Sequence, residues 1–199
     1  HELVHVVQQK EAPERRWRVN LFSGEVLWTE VDLQIKGRGL DFIWARKHRS
    51  RAGPTTAQGN RWDFSYNIFI RQAGENIKVF DGNGRADIFY AQRDGTYAAD
   101  QFFCEGRIES NNAFKLTFRT QSVWEFRPPA PPLPRVKIAR IVDRNGNAPT
   151  FSHDALGRLS RITDTLDRPI VVGYDRDGFI ESVTDFTGRQ VRYSYYQDP

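Results

Sequence analysis

The chain of 199 residues contains one cysteine, Cys104, and no methionine. A lone cysteine excludes an intrachain disulfide and any site built on several thiolates, and such a thiol usually packs as a small hydrophobe. The lack of disulfides does not bar export. No apolar run approaches the ~18 residues that a membrane-spanning helix needs. No stretch spaces its apolar residues at the helical period, so amphipathic helices are not expected. The chain begins at His1 with neither an initiator methionine nor a signal sequence, which reads as a piece of a longer protein. Specific catalytic spacings are missing too. There is no Gly-x-Ser-x-Gly elbow, no His-Glu-x-x-His pair and no Gly-rich loop opening a helix. The four histidines, His1, His5, His48 and His153, are scattered. Carboxylates from distant strands can still converge, as in glycosidases, and spacing does not address that. The expectation is a chain that is not an enzyme and uses no cofactor and no metal.

Charge is unevenly distributed. Lysine and arginine total 29 against 25 acids, a net +4. Residues 138–199 hold no lysine, 8 arginines and 9 acids, so the surplus lies in 1–137, mainly in Glu14–Arg18 and Arg46–Arg51. A basic balance can signal nucleic acid, but a surplus confined to two short runs argues against it. With 39% hydrophobic residues the composition is that of a soluble globular protein, long enough for one domain with a real core.

What is present is a period. Written in rows of 21, residues 138–199 align with themselves without insertion or deletion. Ile141, Ile162 and Val183 share a column, as do Asp143, Asp164 and Asp185, then Gly146, Asp167 and Gly188. Phe151, Val172 and Tyr193 follow, then His153, Tyr174 and Tyr195, with the pairs Asp154/Asp175, Gly157/Gly178 and Leu159/Ile180. A fixed period of this length marks a repeat architecture. Within it, cassettes open at Asp143, Asp154, Asp164, Asp175 and Asp185, at alternating spacings of 11 and 10. An Asp at the first position accepts backbone N–H groups ahead of it. The fourth position, held by Gly146, Gly157, Asp167, Gly178 and Gly188, suits φ > 0. Such turns close hairpins with a bulge. The segments between cassettes are about six residues long and rich in Ile, Val, Phe, Tyr and Thr, which is strand length and composition. Five turns and six strands of antiparallel meander are expected, with φ > 0 at Gly157 and Gly178. The last strand is expected over Val191–Tyr196, an open apolar edge available for self-association or for a continuing sheet.

Upstream, residues 19–53 read as a turn at Asn20–Glu25 and a strand with Val31, Leu33 and Ile35 on one face. A second turn at Lys36–Gly39 and a strand through Leu40, Phe42 and Trp44 follow. Trp62 and Tyr66 are candidates for a ligand-stacking pair, with carbohydrate as the possible ligand. Against this, Trp62, Phe64 and Tyr66 stand two apart and suit one strand face as core or aromatic ladder, the reading adopted. Residues 77–97 form a degenerate copy of the repeat. Val79, Asp81, Gly84, Phe89, Gly95 and Tyr97 sit at the offsets of Ile141, Asp143, Gly146, Phe151, Gly157 and Leu159. Asp81, Asp87 and Asp94 lack the spacing of an EF-hand loop, and turn duty explains Asp81 better. Phe114–Phe126 alternates as two strands. Arg127–Arg135, with its prolines, reads as a stiff loop rather than a ligand for a proline-binding groove. The chain divides into a strand and connector at 1–18, a pre-repeat β domain at 19–126, a Pro-rich loop at 127–137 and repeats at 138–199. The fold class expected is all-β: an antiparallel meander of β-hairpins added side by side into one curved sheet.

The cassettes Tyr174-Asp175-Arg-Asp-Gly178, His153-Asp154-Ala-Leu-Gly157-Arg158-Leu159 and Asp143-Arg-Asn-Gly146-Asn147 resemble RHS repeats, also called YD repeats. The resemblance runs from Ile141 to Tyr196 in one register. Residues 19–66 resemble the domain that commonly precedes the first such repeats, through Gly24-Glu25, Val31-Asp32-Leu33, Gly37–Gly39, Arg46, Ser50-Arg51, and Trp62 to Tyr66. The family's usual Tyr-Asn before that Ser is replaced by Lys47-His48-Arg49, a divergence. Members of this family wind a long sheet into a hollow shell. In bacteria the shell encloses a toxic C-terminal domain, and in animal teneurins it forms part of a cell-surface receptor. The resemblance implies a structural segment from the start of such a shell. Its partners would be the remainder of the shell and the toxin domain, and its location secreted or at the bacterial cell surface. Family self-cleavage and toxicity belong to segments beyond the repeats. The alternative is a β module on the cell surface that binds carbohydrate or protein.

Overall fold

The computed structural model describes residues 17–99, 104–127 and 135–196. The expectations for His1–Lys10, including His1 and His5, for most of the 1–18 connector and for the proline run at 128–134 lie outside these residues. The described residues form β-strands and turns, and none of their segments is a helix long and apolar enough to cross a membrane.

Four strands make one antiparallel sheet in chain order: β1 (Trp17–Asn20), β2 (Glu25–Ile35), β3 (Phe42–Arg49) and β4 (Trp62–Phe64). Asn20 makes the first turn, its side-chain oxygen accepting the N–H groups of Phe22 and Ser23. Leu33 and Ile35 are buried, as alternation predicts, but Val31 is 49% exposed. The difference is a bulge. Val31 pairs with Ala45 and Leu33 with Trp44, so Asp32 is an extra residue in β2. A bulge of this kind re-aims the side chains around it.

The second sheet opens with β5 (Ile68–Ala73), β6 (Asn76–Asp81), β7 (Ala86–Ala91), β8 (Thr96–Ala98), β9 (Cys104–Ile108), β10 (Phe114–Phe118), β11 (Val123–Phe126) and β12 (Val136–Val142). Each pairs antiparallel with the next, and β12 also pairs with β5, so these strands close into a barrel. Its interior is filled by side chains such as Phe89, Leu116, Trp124 and Phe126, all but sealed from solvent. Each contributes roughly 1.5–3 kcal/mol by burial. At Gly106 a Cβ would lie 2.5 Å from Cζ of Phe114, so a side chain there would displace that ring. Cys104 is half-buried, and burial followed by the Asp87 carboxylate pushes its thiol up to about 12.

Beyond the barrel, β13 (Thr150–His153), β14 (Leu159–Thr163), β15 (Pro169–Tyr174), β16 (Ile180–Thr184) and β17 (Gln190–Arg192) continue the same sheet as a meander. From β12 onward there are six strands and five turns, as the period predicts. The strand β12 is where the sheet divides. One edge bonds β11 over Ile138–Val142. On the other, Val136 and Lys137 pair with Ile70 and Phe69 of β5, and Arg140 pairs with Thr150 of β13.

The all-β, antiparallel character is therefore as the sequence implies, with three corrections. The hairpins do not form one curved sheet, because β5 to β12 close on themselves and β1 to β4 stand apart. The Pro-rich loop does not extend to 137, since β12 already begins at Val136. The final strand ends at Arg192 rather than Tyr196. There the loop carrying Ala57 takes the neighbouring edge, the Ile180 N–H donating to the Ala57 carbonyl at 2.7 Å.

One hydrophobic core runs through all parts, from Trp44 and Phe64 through the barrel to Ile162, Ile170, Ile180 and Val183. The four-stranded sheet lies against the repeats. Its 36–40 turn is inserted between two cassettes, with the Arg38 N–H on Thr165 Oγ1 at 2.7 Å and the Arg168 guanidinium on the Lys36 carbonyl. A Cβ at Gly39 would stand 2.2 Å from Asp143 Oδ2, and its φ is +75°, so this approach requires glycine.

Candidate functional site

The five cassettes fold alike. Asp143 Oδ1 accepts the N–H groups of Asn145 and Asn147 at 2.8 and 2.9 Å. The same two bonds recur from Asp154, Asp164, Asp175 and Asp185 to the residues two and four ahead. In each, the N–H of the fourth residue returns to the carbonyl of the first, at 2.9–3.2 Å. The fourth residues Gly146, Gly157, Gly178 and Gly188 have φ of 74–88°, and Asp167 has 60°. A partner not anticipated from the sequence is the arginine four residues on. Arg158, Arg168 and Arg189 each place Nε 2.7–2.8 Å from Oδ2 of their Asp. The signal was visible as Asp followed by Arg at a constant spacing. Desolvation pushes the Asp185 carboxyl up, but the bonds from Thr187 and Arg189 outweigh it and lower its pKa to about 2.

The degenerate copy uses the same device. Asp81 Oδ1 accepts the N–H groups of Asn83 and Arg85 at 2.7 and 3.2 Å. Asp87 pairs with Arg85, and Asp94 accepts from Thr96, so the three acids serve separate turns. Among the described residues no group of three or more His, Cys, Asp or Glu is gathered as for a metal.

The column of Tyr174 and Tyr195 has a function that the period alone did not reveal. Tyr174 donates its hydroxyl to the Leu159 carbonyl at 2.9 Å, and Tyr195 to the Ile180 carbonyl at 2.8 Å. Both reach back 15 residues to the preceding row. His153, in the same column, is too short to repeat this, and its buried Nδ1 has no partner among the described residues.

Trp62 and Tyr66 do not form a pair. The strand β4 ends at Phe64, between them. Tyr66 lies in the core, tilted on Phe151 at 5.4 Å and stacked on Phe42 at 5.4 Å, and its hydroxyl accepts the Ile43 N–H. Burial raises its pKa. Trp62 instead belongs to a row across all four strands of the first sheet. Trp17 is opposite Trp28, Trp28 opposite His48, and His48 opposite Trp62. The ring centroids of Trp28 and His48 lie 6.0 and 5.0 Å from that of Trp62. Trp17 and Trp28 are 63% and 44% exposed, so the outer half of this row faces solvent.

At the inner end of the row stands a polar cluster. Arg46 donates from Nε and a terminal nitrogen to the two oxygens of Asp32 at 2.5 and 2.9 Å. Its guanidinium lies between the rings of Trp62 and Tyr193, 5.2 and 5.0 Å from their centroids. The Tyr193 hydroxyl donates to Asp32 Oδ2 at 2.7 Å. Burial opposes the charge on Arg46, and the bonds to Asp32 overcome it, so its pKa is raised. The bulge at Asp32 is what turns that carboxylate toward the repeats. Nearby Arg49 holds Glu25 through Nε and a terminal nitrogen, and with the Ala52 N–H it lowers the Glu25 pKa to about 2. These groups anchor and orient. They present a charged and aromatic surface, with the ion pairs already satisfied internally.

The chain has no match among curated proteins. Residues 18–89 match a family described as a domain of unknown function, DUF6531, a stretch that runs from β1 into β7 and so takes in the first sheet and the opening strands of the barrel.

Proposed function

We propose that this chain is a non-catalytic structural segment of an RHS/YD-repeat shell, the pre-repeat domain with the first repeats. On this reading the parent protein is bacterial, secreted or surface-displayed, and encloses a toxic C-terminal domain. The observation that carries the reading is the division of the sheet at β12. The barrel closes the sheet on one side, and on the other a meander leaves it through turns of one geometry, a form that further hairpins can extend. Arg46 and Arg49, from the basic run, are engaged with Asp32 and Glu25, which supports a structural use rather than nucleic-acid contact. The match over 18–89 falls where a separate pre-repeat domain is expected. Among the described residues β17 pairs only with β16, so its outer edge suits either a following hairpin or a second copy.

The test is to express the chain together with the residues that follow it in its parent reading frame and image the product by electron microscopy. A hollow particle whose wall continues from β17 is expected. A downstream sequence without the 21-residue period, or a solid particle, would refute the reading. Sedimentation of the 199-residue chain would separately show whether the β17 edge pairs with another copy.

A second reading is favoured by the row of Trp17, Trp28, His48 and Trp62, whose outer members Trp17 and Trp28 are exposed, which suits stacking against a sugar or a partner protein. Glycan-array binding that Trp28→Ala abolishes would support it. Unchanged tryptophan fluorescence against every glycan and against the isolated toxin domain would dismiss it.

A further inference from the structure

A cavity of about 330 Å³ lies between the outer wall of the barrel and the Asp154–Arg158 turn, within the size range of small-ligand sites. Its position follows from the repeat. Where the next two rows carry a tyrosine bonded to a carbonyl, this row carries the shorter His153, which lines the cavity. Tyr174 and Leu159 form one side of it. Lys137 of β12, Arg135 just before that strand, and Arg158 also line it.

The charges around this cavity do not balance. Arg158 is matched by Asp154, at 2.8 Å. Lys137 and Arg135 rest on the ring of Phe69, at 4.9 and 4.8 Å from its centroid, and neither is ion-paired with a carboxylate among the described residues. The His153 Nδ1 is buried and has no hydrogen-bond partner among the described residues. Arg135 is exposed and Lys137 half-buried, but a half-buried ammonium without an anion beside a buried imidazole nitrogen without a hydrogen bond is unfavourable, so this arrangement is incomplete by itself.

We propose that the cavity bounded by His153, Lys137 and Arg135 is a binding site for a small oxyanion, a phosphate or a carboxylate. The oxygens accept from the Lys137 ammonium and the Arg135 guanidinium, and the His153 imidazole supplies the third contact. The ionisation of these groups agrees. Burial, then Arg135, lowers Lys137 to about 8. Burial, then Lys137 and Arg127, lowers His153 to about 4, with Asp154 acting in the opposite sense. A bound anion would counter the repulsion among these cations and act against both lowerings. The site does not depend on the shell reading, because it is complete within one chain.

The experiment is thermal unfolding of the 199-residue chain at pH 6.5 with inorganic phosphate, with acetate, and with chloride at equal ionic strength. Phosphate or acetate at saturation is expected to raise Tm by about 2–4 °C over chloride. A shift with phosphate alone assigns a phosphate site, and an equal shift with acetate assigns a carboxylate site. Lys137→Met should abolish the shift. His153→Tyr, which restores the residue of the other rows, should remove the imidazole contact, keep the fold and lose the response. The imidazole nitrogen resonances of His153 should move on adding phosphate to the wild-type chain. Equal Tm in all three salts, or a full response in His153→Tyr, would overturn the proposal.

Discussion

The hydroxyl of Tyr193 meets the carboxylate of Asp32 at 2.7 Å, joining residues 161 positions apart. Asp32 is the bulged residue of β2, and Tyr193 immediately follows β17. The bond therefore ties the first sheet to the last described row of the repeats. It is strengthened by Arg46, which holds Asp32 in place and faces the Tyr193 ring.

Removing that tie should loosen one end of the repeats. Tyr193→Phe deletes a hydrogen bond to a charged group, which is worth about 1.5–3 kcal/mol, and partial exposure puts the loss toward the lower figure. Urea unfolding should show that loss. Amide exchange should accelerate over Gln190–Tyr196 and in the Ala57 loop while the barrel stays protected. Uniform acceleration across the barrel would show that the bond is not a local latch.

The cassettes make opposite predictions at equivalent positions. Gly157→Val places a β-branched residue at φ 74°, and should destabilise by more than about 1 kcal/mol. Asp167 already occupies that position at φ 60°, so Asp167→Gly should stabilise by up to ~1 kcal/mol. Paired denaturation curves of the two variants against the wild type decide the matter. Loss of stability in Asp167→Gly would mean that its side chain has a role beyond the turn.

Acid should weaken the fold through Glu25 and Asp185. Both carboxyls are lowered to about 2, below the ~4 of an unfolded chain. Their stabilisation is complete above that unfolded value and is lost as pH falls toward 2. Asp63 and Asp81 act in the opposite sense, since burial raises both, and protonating them relieves a cost. The net fall below pH 4 should become shallower in Asp185→Asn, although that variant is less stable at pH 7. An unaltered acid profile would show that Asp185 does not contribute.

His153 adds a second window. Its pKa is about 4 in the fold against ~6.5 unfolded, so the unfolded chain binds the extra proton between these values. Stability should decline as pH drops from 6.5 to 4 in phosphate-free buffer. His153→Tyr should flatten the slope there by about one proton. A slope identical in both proteins would place the titration elsewhere.

The sequence by itself determined the turns and the strands between them. Asp at the first position and Gly at the fourth act within five residues, so local chemistry suffices, and Asp81 could be read as the same turn in a degenerate copy. The core columns were legible from the repeat: Ile141, Ile162 and Val183 recur every 21 residues at equivalent strand positions and are all buried. The arginine partners of the turn aspartates are legible in the same way, as an Arg four residues after Asp154, Asp164 and Asp185.

What only the tertiary structure decided was which edges meet. The pairing of Val136 and Lys137 with β5, which closes the barrel, joins segments far apart in the chain, and no residue pattern in β5 or β12 names its partner. The same holds for the bulge at Asp32, whose alternation looked regular until Ala45 and Trp44 fixed the register opposite it. Trp62 and Tyr66 stand four apart, with Phe64 between them, and suit one strand face, yet the chain leaves β4 between them, sending one ring to the aromatic row of the first sheet and the other to the core. Period and turn chemistry act over a few residues. Closure, register and the cavity beside His153 are set by long-range packing, where each side chain is judged against surfaces contributed by distant parts of the chain.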